Sequence, residues 1–207
     1  MHQFCSGQPA GSVHGLDHPP PGLLVIKDFI AREKCGLFHQ NFKQRPSQPA
    51  TVTIGDEASG TLKKVQDKQR ITETLELGEL GPDVVKTVTL AYRDAVIPFF
   101  GAQLDTFSAP SVLKYSPGGK YEAHSDSEYW NRDMGKWIKS IARDYSLLLY
   151  VNDDYEGGSL YFPNFEMRLR PESGMLVAFP SDHRYLHAAE PLLSGERFVI
   201  VSWACVK

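Results

Sequence analysis

The 207-residue chain is poor in cysteine, has no long apolar run and gathers its basic residues into no patch. Each shortage removes a class of protein. The three cysteines, Cys5, Cys35 and Cys205, are odd in number and far apart, so neither a disulfide framework nor a cysteine zinc site is expected, and a reducing cytoplasm suits them best. No stretch is long and apolar enough to span a bilayer, and the opening MHQFCSGQPAGSVHGLDHPPPG holds no signal-peptide core. A soluble, cytoplasmic protein with no membrane partner is the expectation. Against 25 Asp and Glu stand 22 Lys and Arg, for a formal net charge of -3. Without a basic stripe to follow phosphates, no nucleic-acid partner is expected either.

What is present is arranged in two textures. Residues 1–22 are rich in Gly, Pro and His and end in Pro19-Pro20-Pro21-Gly22, a composition of extended, unpacked chain that reads as a flexible arm. Residues 23–207 read as one domain, with 23–105 as strand and helix support and 106–207 as a β-rich core. LLVIKDF from Leu23 has strand character. The following IAREKCGLFHQNFKQR sets Ile30, Phe38 and Phe42 near one helical face. Between Arg45 and Thr61 small and polar residues suggest a loop. Pro82 and Asp83 carry helix-start chemistry, and Val84, Val88, Ala91 and Ala95 recur at helical spacing toward Pro98. From Ser111 onward short apolar runs alternate with Gly, Pro, Asn and Asp. This predicts a mainly β fold with supporting helices, α+β, in which a sheet or sandwich carries helices on one outer face. In YSLLLYV, Leu147, Leu149 and Val151 face one way and Leu148 and Tyr150 the other, so both faces need cover, one of them from the helices.

Within that β region, YEAHSD can present His124 and Asp126 on one side of a strand while Ser125 faces away. A second imidazole from a distant strand would complete a facial set on an octahedral metal, with positions left for a co-substrate and oxygen, as in non-haem Fe(II) oxygenases. His187 in RYLHAAEP is the candidate. His-x-Asp alone is a common chance pair. Arg197, ten positions after His187 across the Pro191-to-Gly195 turn, adds a guanidinium that can fork onto a dicarboxylate and stays charged when buried. The spacing of His183 and His187 could also suit a helical zinc site, but the helical Glu is missing, Pro180 precedes the pair and the flanks are β-like.

The ordered strings YSPGGKYEAHSD, LLLYVNDDYEGGSLYF and GMLVAFPSDHRYLHAAEPLLSGERFVIVSW resemble the prolyl hydroxylase branch of the 2-oxoglutarate/Fe(II)-dependent oxygenases, of prolyl 4-hydroxylase and prolyl 3-hydroxylase type. The likeness covers roughly residues 111 to 205; LLVIKDFIAREKC is similar more weakly. It implies a double-stranded β-helix, the jelly-roll or cupin-like core. It further implies His124, Asp126 and His187 as catalytic iron ligands, Arg197 as the residue that binds the distal carboxylate of 2-oxoglutarate, and Tyr150 and Tyr115 as phenols of the co-substrate pocket. Fe(II), 2-oxoglutarate and O2 are the implied cofactors, with ascorbate as reductant. The retained Asp126 favours hydroxylation over halogenation. Trp203, on the strand parity of Arg197, reads as core with pocket wall as the alternative. Gly157 and Gly158 read as a tight turn with close backbone approach.

The resemblance implies hydroxylation of an unactivated C–H bond of a prolyl residue in a peptide or protein, with succinate and CO2 as co-products. A hydroxylase of a free amino acid or peptide-like metabolite is the second reading, and a non-catalytic cupin-like metal-binding module the third. SEYWNRDMGKWIKSIARD, after Asp126, is long for a turn and carries Tyr129, Trp130 and Trp137. It is expected to be either a lid or substrate wall, or a short helix packed on the barrel.

Overall fold

The computed structural model describes residues 19–56, 61–65 and 68–207. Residues 1–18, most of the arm expected at 1–22, lie outside them, as does Cys5. Two sheets face each other. The larger runs Leu24–Ile26, Leu176–Pro180, Tyr145–Tyr150, Arg197–Val206, Ser111–Tyr115, Glu73–Leu75 and Ser47–Pro49, with Leu104–Phe107 paired to the far half of the Arg197–Val206 strand. The smaller runs Met167–Leu169, Leu160–Phe162, His187–Ala189, Lys120–His124 and Arg70–Ile71. The pairings that build these sheets are antiparallel and join strands distant in sequence, which is the double-stranded β-helix that the resemblance implies.

Strand alternation divides the larger sheet into a helix-covered outer face and an inner face that walls a cavity. Outward, Leu147, Leu149, Val151, Phe198 and Ile200 pack with Phe38 and Phe42 of the Arg32–Phe42 helix and Val84 and Val88 of the Gly81–Ala91 helix. Burying each such side chain contributes roughly 1.5–3 kcal/mol, so this layer fixes the sheet that carries the inner residues. Inward, Leu113, Tyr115, Tyr150, Val199 and Val201 belong to a second cluster. Both faces of YSLLLYV are covered as its pattern requires.

The helix expected to run toward Pro98 is Gly81–Ala91, which continues through a π-helical turn at Tyr92–Val96 into Ile97–Phe100. The widened turn accommodates a proline ring that would otherwise meet the carbonyl four residues back. The segment read as a loop between Arg45 and Thr61 contains the strands Ser47–Pro49 and Val52–Asp56, the latter paired with Thr61–Val65; its small polar residues hid strands with little apolar alternation. The segment after Asp126 is a β-hairpin, Glu128–Asn131 with Lys136–Lys139, and no helix. Trp130 and Trp137 are directly opposed across it, a cross-strand aromatic pair that favours a hairpin.

Candidate metal and co-substrate site

The register of the smaller sheet places His124 directly opposite His187. The Lys120–His124 strand ends there, and Asp126 follows just beyond it. Among the described residues, His124, Asp126 and His187 form a group whose ligand atoms all lie within 4.8 Å of one another. Nε2 of His124 is 3.8 Å from Asp126 Oδ1, and Nε2 of His187 is 3.6 Å from Asp126 Oδ2. Each ring's other nitrogen is engaged: His124 Nδ1 donates to the Glu122 carbonyl at 2.8 Å and His187 Nδ1 to the Tyr185 carbonyl at 3.1 Å. A carbonyl only accepts, so both rings are set in the tautomer that leaves the Nε2 lone pair free on the Asp126 side, the arrangement a metal requires.

The carboxylate is oriented as well. Ser146 Oγ donates to Asp126 Oδ2 at 2.6 Å and lies 2.8 Å from Ser181 Oγ, while Arg143 Nη1 donates to the Asp126 carbonyl at 3.1 Å. Burial and the neighbouring His187 hold the His124 imidazole well below its ordinary value, so it stays neutral. For Asp126, burial pushes upward, but the two imidazoles and the Ser146 hydrogen bond outweigh it and keep the carboxyl ionised. Two imidazole nitrogens and one carboxylate suit a divalent iron ion.

Arg197 opens the Arg197–Val206 strand opposite Tyr115. Only 2% of it is exposed, and its guanidinium carbon sits 3.9 Å from the Tyr115 ring centre. One amino group donates to the Gly158 carbonyl, whereas Nε is buried without a partner in the protein. A buried, unsatisfied donor on a permanent cation is costly unless an anion meets it, so a carboxylate fits here. Gly158 has φ +65°, and a Cβ there would lie 2.8 Å from Leu192 Cδ1 and 3.1 Å from Arg197 Nη1. The close backbone approach expected of Gly157 and Gly158 is made by Gly157 to Pro191 and Leu193 and by Gly158 to Leu192 and Arg197. Tyr150 is buried and lines the same cavity; desolvation raises its hydroxyl pKa strongly, so it is a neutral donor.

The triad, Arg197, Tyr115 and Tyr150 share one cavity of about 540 Å³. Trp203 lines it too, with Arg143 stacked 3.7 Å over its ring, so Trp203 is pocket wall. His183 lies outside the group, in the short turn His183–Tyr185, while His187 is on a strand. Ser146, Ser181, Arg143 and Tyr121 were not foreseen. Ser146 had a signal, since it shares the inward parity of Leu148 and Tyr150. Tyr121 had none: it stacks on His124, ring centres 3.6 Å apart. The irregular register, with His187 opposite His124 but Ala189 opposite Tyr121, turns residues three apart onto one face.

A double-stranded β-helix that brings a two-histidine, one-carboxylate group and a buried arginine into one cavity defines the class of iron-dependent oxygenases that use a dicarboxylate co-substrate. Residues 110–205 match the model of the 2OG-Fe(II) oxygenase superfamily. A protein of Acanthamoeba polyphaga mimivirus described as a prolyl 4-hydroxylase is 28% identical over 204 residues, covering 93% of this chain and 77% of that protein. Prolyl 4-hydroxylase subunit alpha-1 of Gallus gallus is 26% identical over 193 residues, covering 88% of this chain but 35% of that subunit; the chain thus spans about a third of the length of that relative. The viral collagen prolyl hydroxylase of Paramecium Bursaria Chlorella virus-1, solved with 2OG, shares the fold at a TM-score of 0.59 and 18% identity, covering 88% of this chain and 95% of that one. Over residues 110–205 the chain is similar to the 2OG-Fe(II) oxygenase superfamily, and along most of its length to prolyl hydroxylases. Iron(II), 2-oxoglutarate and O2 are the cofactors that this match implies, and the His124, Asp126 and His187 group fits the metal.

Proposed function

We propose that the protein hydroxylates a prolyl residue within a peptide or protein, with His124, Asp126 and His187 holding iron(II), Arg197 and Tyr150 holding the distal carboxylate of 2-oxoglutarate, and Tyr115 backing the Arg197 guanidinium. The observation that carries this reading is the buried, unpartnered Nε of Arg197 in the cavity that holds the three ligand residues. With O2 as oxidant, bound iron and 2-oxoglutarate would supply oxidative decarboxylation to succinate and CO2, with one oxygen atom entering succinate and the other a substrate C–H bond. The protein's part is to orient and to exclude water. The Glu122 and Tyr185 carbonyls fix the two imidazoles, and Ser146 fixes the carboxylate. Arg197, clamped by Gly158 and Tyr115, receives the co-substrate at a set distance from the triad.

The prolyl substrate is supported by the prolyl hydroxylase relatives. Cytoplasmic residence is supported by Cys35 and Cys205, both free thiols; among the described residues no helix is long and apolar enough to cross a membrane. Ascorbate as reductant follows from the resemblance. The decisive experiment is a succinate-release screen with proline-containing peptides and free amino acids, followed by mass measurement of products. Peptides gaining one oxygen on proline are expected; turnover confined to free amino acids would replace the peptide reading, and none on any C–H substrate would overturn it.

A further inference from the structure

Among the described residues, Arg197 is paired by a strand on one flank only, through Tyr115. On the other flank the Tyr145–Tyr150 strand follows as far as Tyr150 opposite Val199, and the last rung is the Val151 N–H donating to the Phe198 carbonyl at 3.1 Å. The chain then turns away, and the Phe198 N–H and the Glu196 carbonyl, one on each side of Arg197, have no strand to meet them. The Asn152 side chain takes that place. Its Oδ1 accepts from the Phe198 N–H at 2.8 Å, and its Nδ2 donates to the Glu196 carbonyl at 2.7 Å. An N–H only donates and a carbonyl only accepts, so the two backbone groups also fix which way the amide is turned. Asn152 is itself buried, and its Nδ2 donates a second time, to Asp154 Oδ1 at 2.6 Å. The same turn is packed closely on the start of the strand, since a Cβ on Gly195 would lie 2.8 Å from the Asp154 carbonyl oxygen.

We propose that Asn152 is a positioning residue for co-substrate binding, which acts by bridging the backbone on both sides of Arg197. The inference rests on the reading of Arg197 as the residue that receives the distal carboxylate, and adds what holds it in place. Asn152 is not among the residues that line the cavity, so its effect runs through the arginine. A guanidinium forks onto a carboxylate only when its donors meet both oxygens in one plane. On a side chain this long, a small tilt of the backbone becomes a large displacement at the charged end, and a strand end left unpaired on one flank is free to tilt. Asn152 removes that freedom without a further strand. The turn it begins leads directly to Gly158, whose carbonyl accepts from the Arg197 guanidinium. One turn, residues 152–158, thus holds the arginine at its base and at its tip.

The test measures binding of 2-oxoglutarate and of oxalate to the anaerobic, iron(II)-loaded protein by equilibrium dialysis. Oxalate can chelate a metal but carries no group that reaches Arg197, so it reports on the metal and its ligands alone. In Asn152→Ala the affinity for 2-oxoglutarate should fall about tenfold, the size of one lost hydrogen bond, with oxalate and iron(II) affinities unchanged. Succinate release should show the same split, a raised KM for 2-oxoglutarate with kcat retained. If Asn152→Ala does not fold, Asn152→Asp, which keeps the acceptor for the Phe198 N–H and loses both donations, takes its place with the same selective loss expected. Equal losses for 2-oxoglutarate and oxalate, or an unchanged 2-oxoglutarate affinity in a folded variant, would overturn the role of Asn152 and leave Arg197 in place. An Arg197→Ala variant that binds 2-oxoglutarate as the parent does would overturn the reading of Arg197, and this inference with it.

Discussion

Replacing Ser146 by alanine removes one hydroxyl from the wall of the proposed metal site and touches no ligand atom. That hydroxyl donates to Asp126 Oδ2 at 2.6 Å and lies 2.8 Å from Ser181 Oγ, while Ser146 itself is 2% exposed. A hydrogen bond to an ionised carboxylate contributes about 1.5–3 kcal/mol. Loss of that amount from the state in which Asp126 faces the imidazoles leaves the carboxylate free to adopt rotamers that point elsewhere, and the metal must then select the productive one. At about 1.4 kcal/mol per factor of ten, iron(II) affinity should fall roughly ten- to a hundredfold, the range typical when a group orienting a metal ligand is removed. The Ser125 and Ser127 hydroxyls donate to the Ser181 carbonyl and hold the Ser181 backbone where its own hydroxyl meets Ser146. The measurement is an anaerobic iron(II) titration of parent and variant. Thermal unfolding of the metal-free proteins serves as the control, because a chain of this size loses about 2–4 °C per kcal/mol. An iron affinity within about twofold of the parent, in a variant that remains folded, would refute the argument that Ser146 orients the carboxylate.

Gly158→Ala should raise the 2-oxoglutarate concentration needed for half-maximal turnover by about tenfold or more: an L-residue at φ +65° costs roughly 1–2 kcal/mol, and the new methyl would sit 3.1 Å from Arg197 Nη1. Succinate release as a function of 2-oxoglutarate measures this, and an unchanged requirement would show that Gly158 does not seat the arginine. Arg197→Ala should do the same more severely, with iron binding by titration retained; loss of iron binding instead would mean that the arginine serves the metal. The metal-free protein should lose stability as pH falls from 7 toward 5. The His124 imidazole is held below its ordinary value of 6.5 in the folded state, so the unfolded chain binds more protons there and gains from acid. Asp126, also held low, adds to the same trend further down, its contribution being present above the ordinary carboxyl range and lost as pH falls through it. A thermal midpoint that stays flat or rises over that interval, or a slope unaltered in His124→Gln, would contradict a buried neutral imidazole.

Much of this site was open to strand parity, and its gaps are as physical as its successes. On straight strands the period of two works. Arg197 with Trp203, and Leu148 with Tyr150, fall on one side as their spacing requires, and the larger sheet then stacks Tyr115 opposite Arg197; Asp126 joins His124 although it lies just beyond the strand end. Parity fails where the register slips, which is how Tyr121 came to lie on His124. It is silent on side chains placed by turns, which is how Arg143, just ahead of the Tyr145–Tyr150 strand, reaches both Asp126 and Trp203. Composition misled at Arg45 to Thr61 because an edge strand with no buried face shows no alternation to detect; Ser47–Pro49 is exposed throughout. The hairpin after Asp126 is a subtler case. Its opposed Trp130 and Trp137 do not announce their pairing until the turn between them is known, since no Asn-Gly or Asp-Gly marks the bend and the register depends on Ser127 bonding to Ser181, more than fifty residues away. His124, His187, Arg197 and Tyr150 sit on strands, where alternation sets the facing of side chains, whereas the hairpin after Asp126 is fixed by long-range contacts. Sequence pattern therefore reaches the strand-borne residues before it reaches the hairpin.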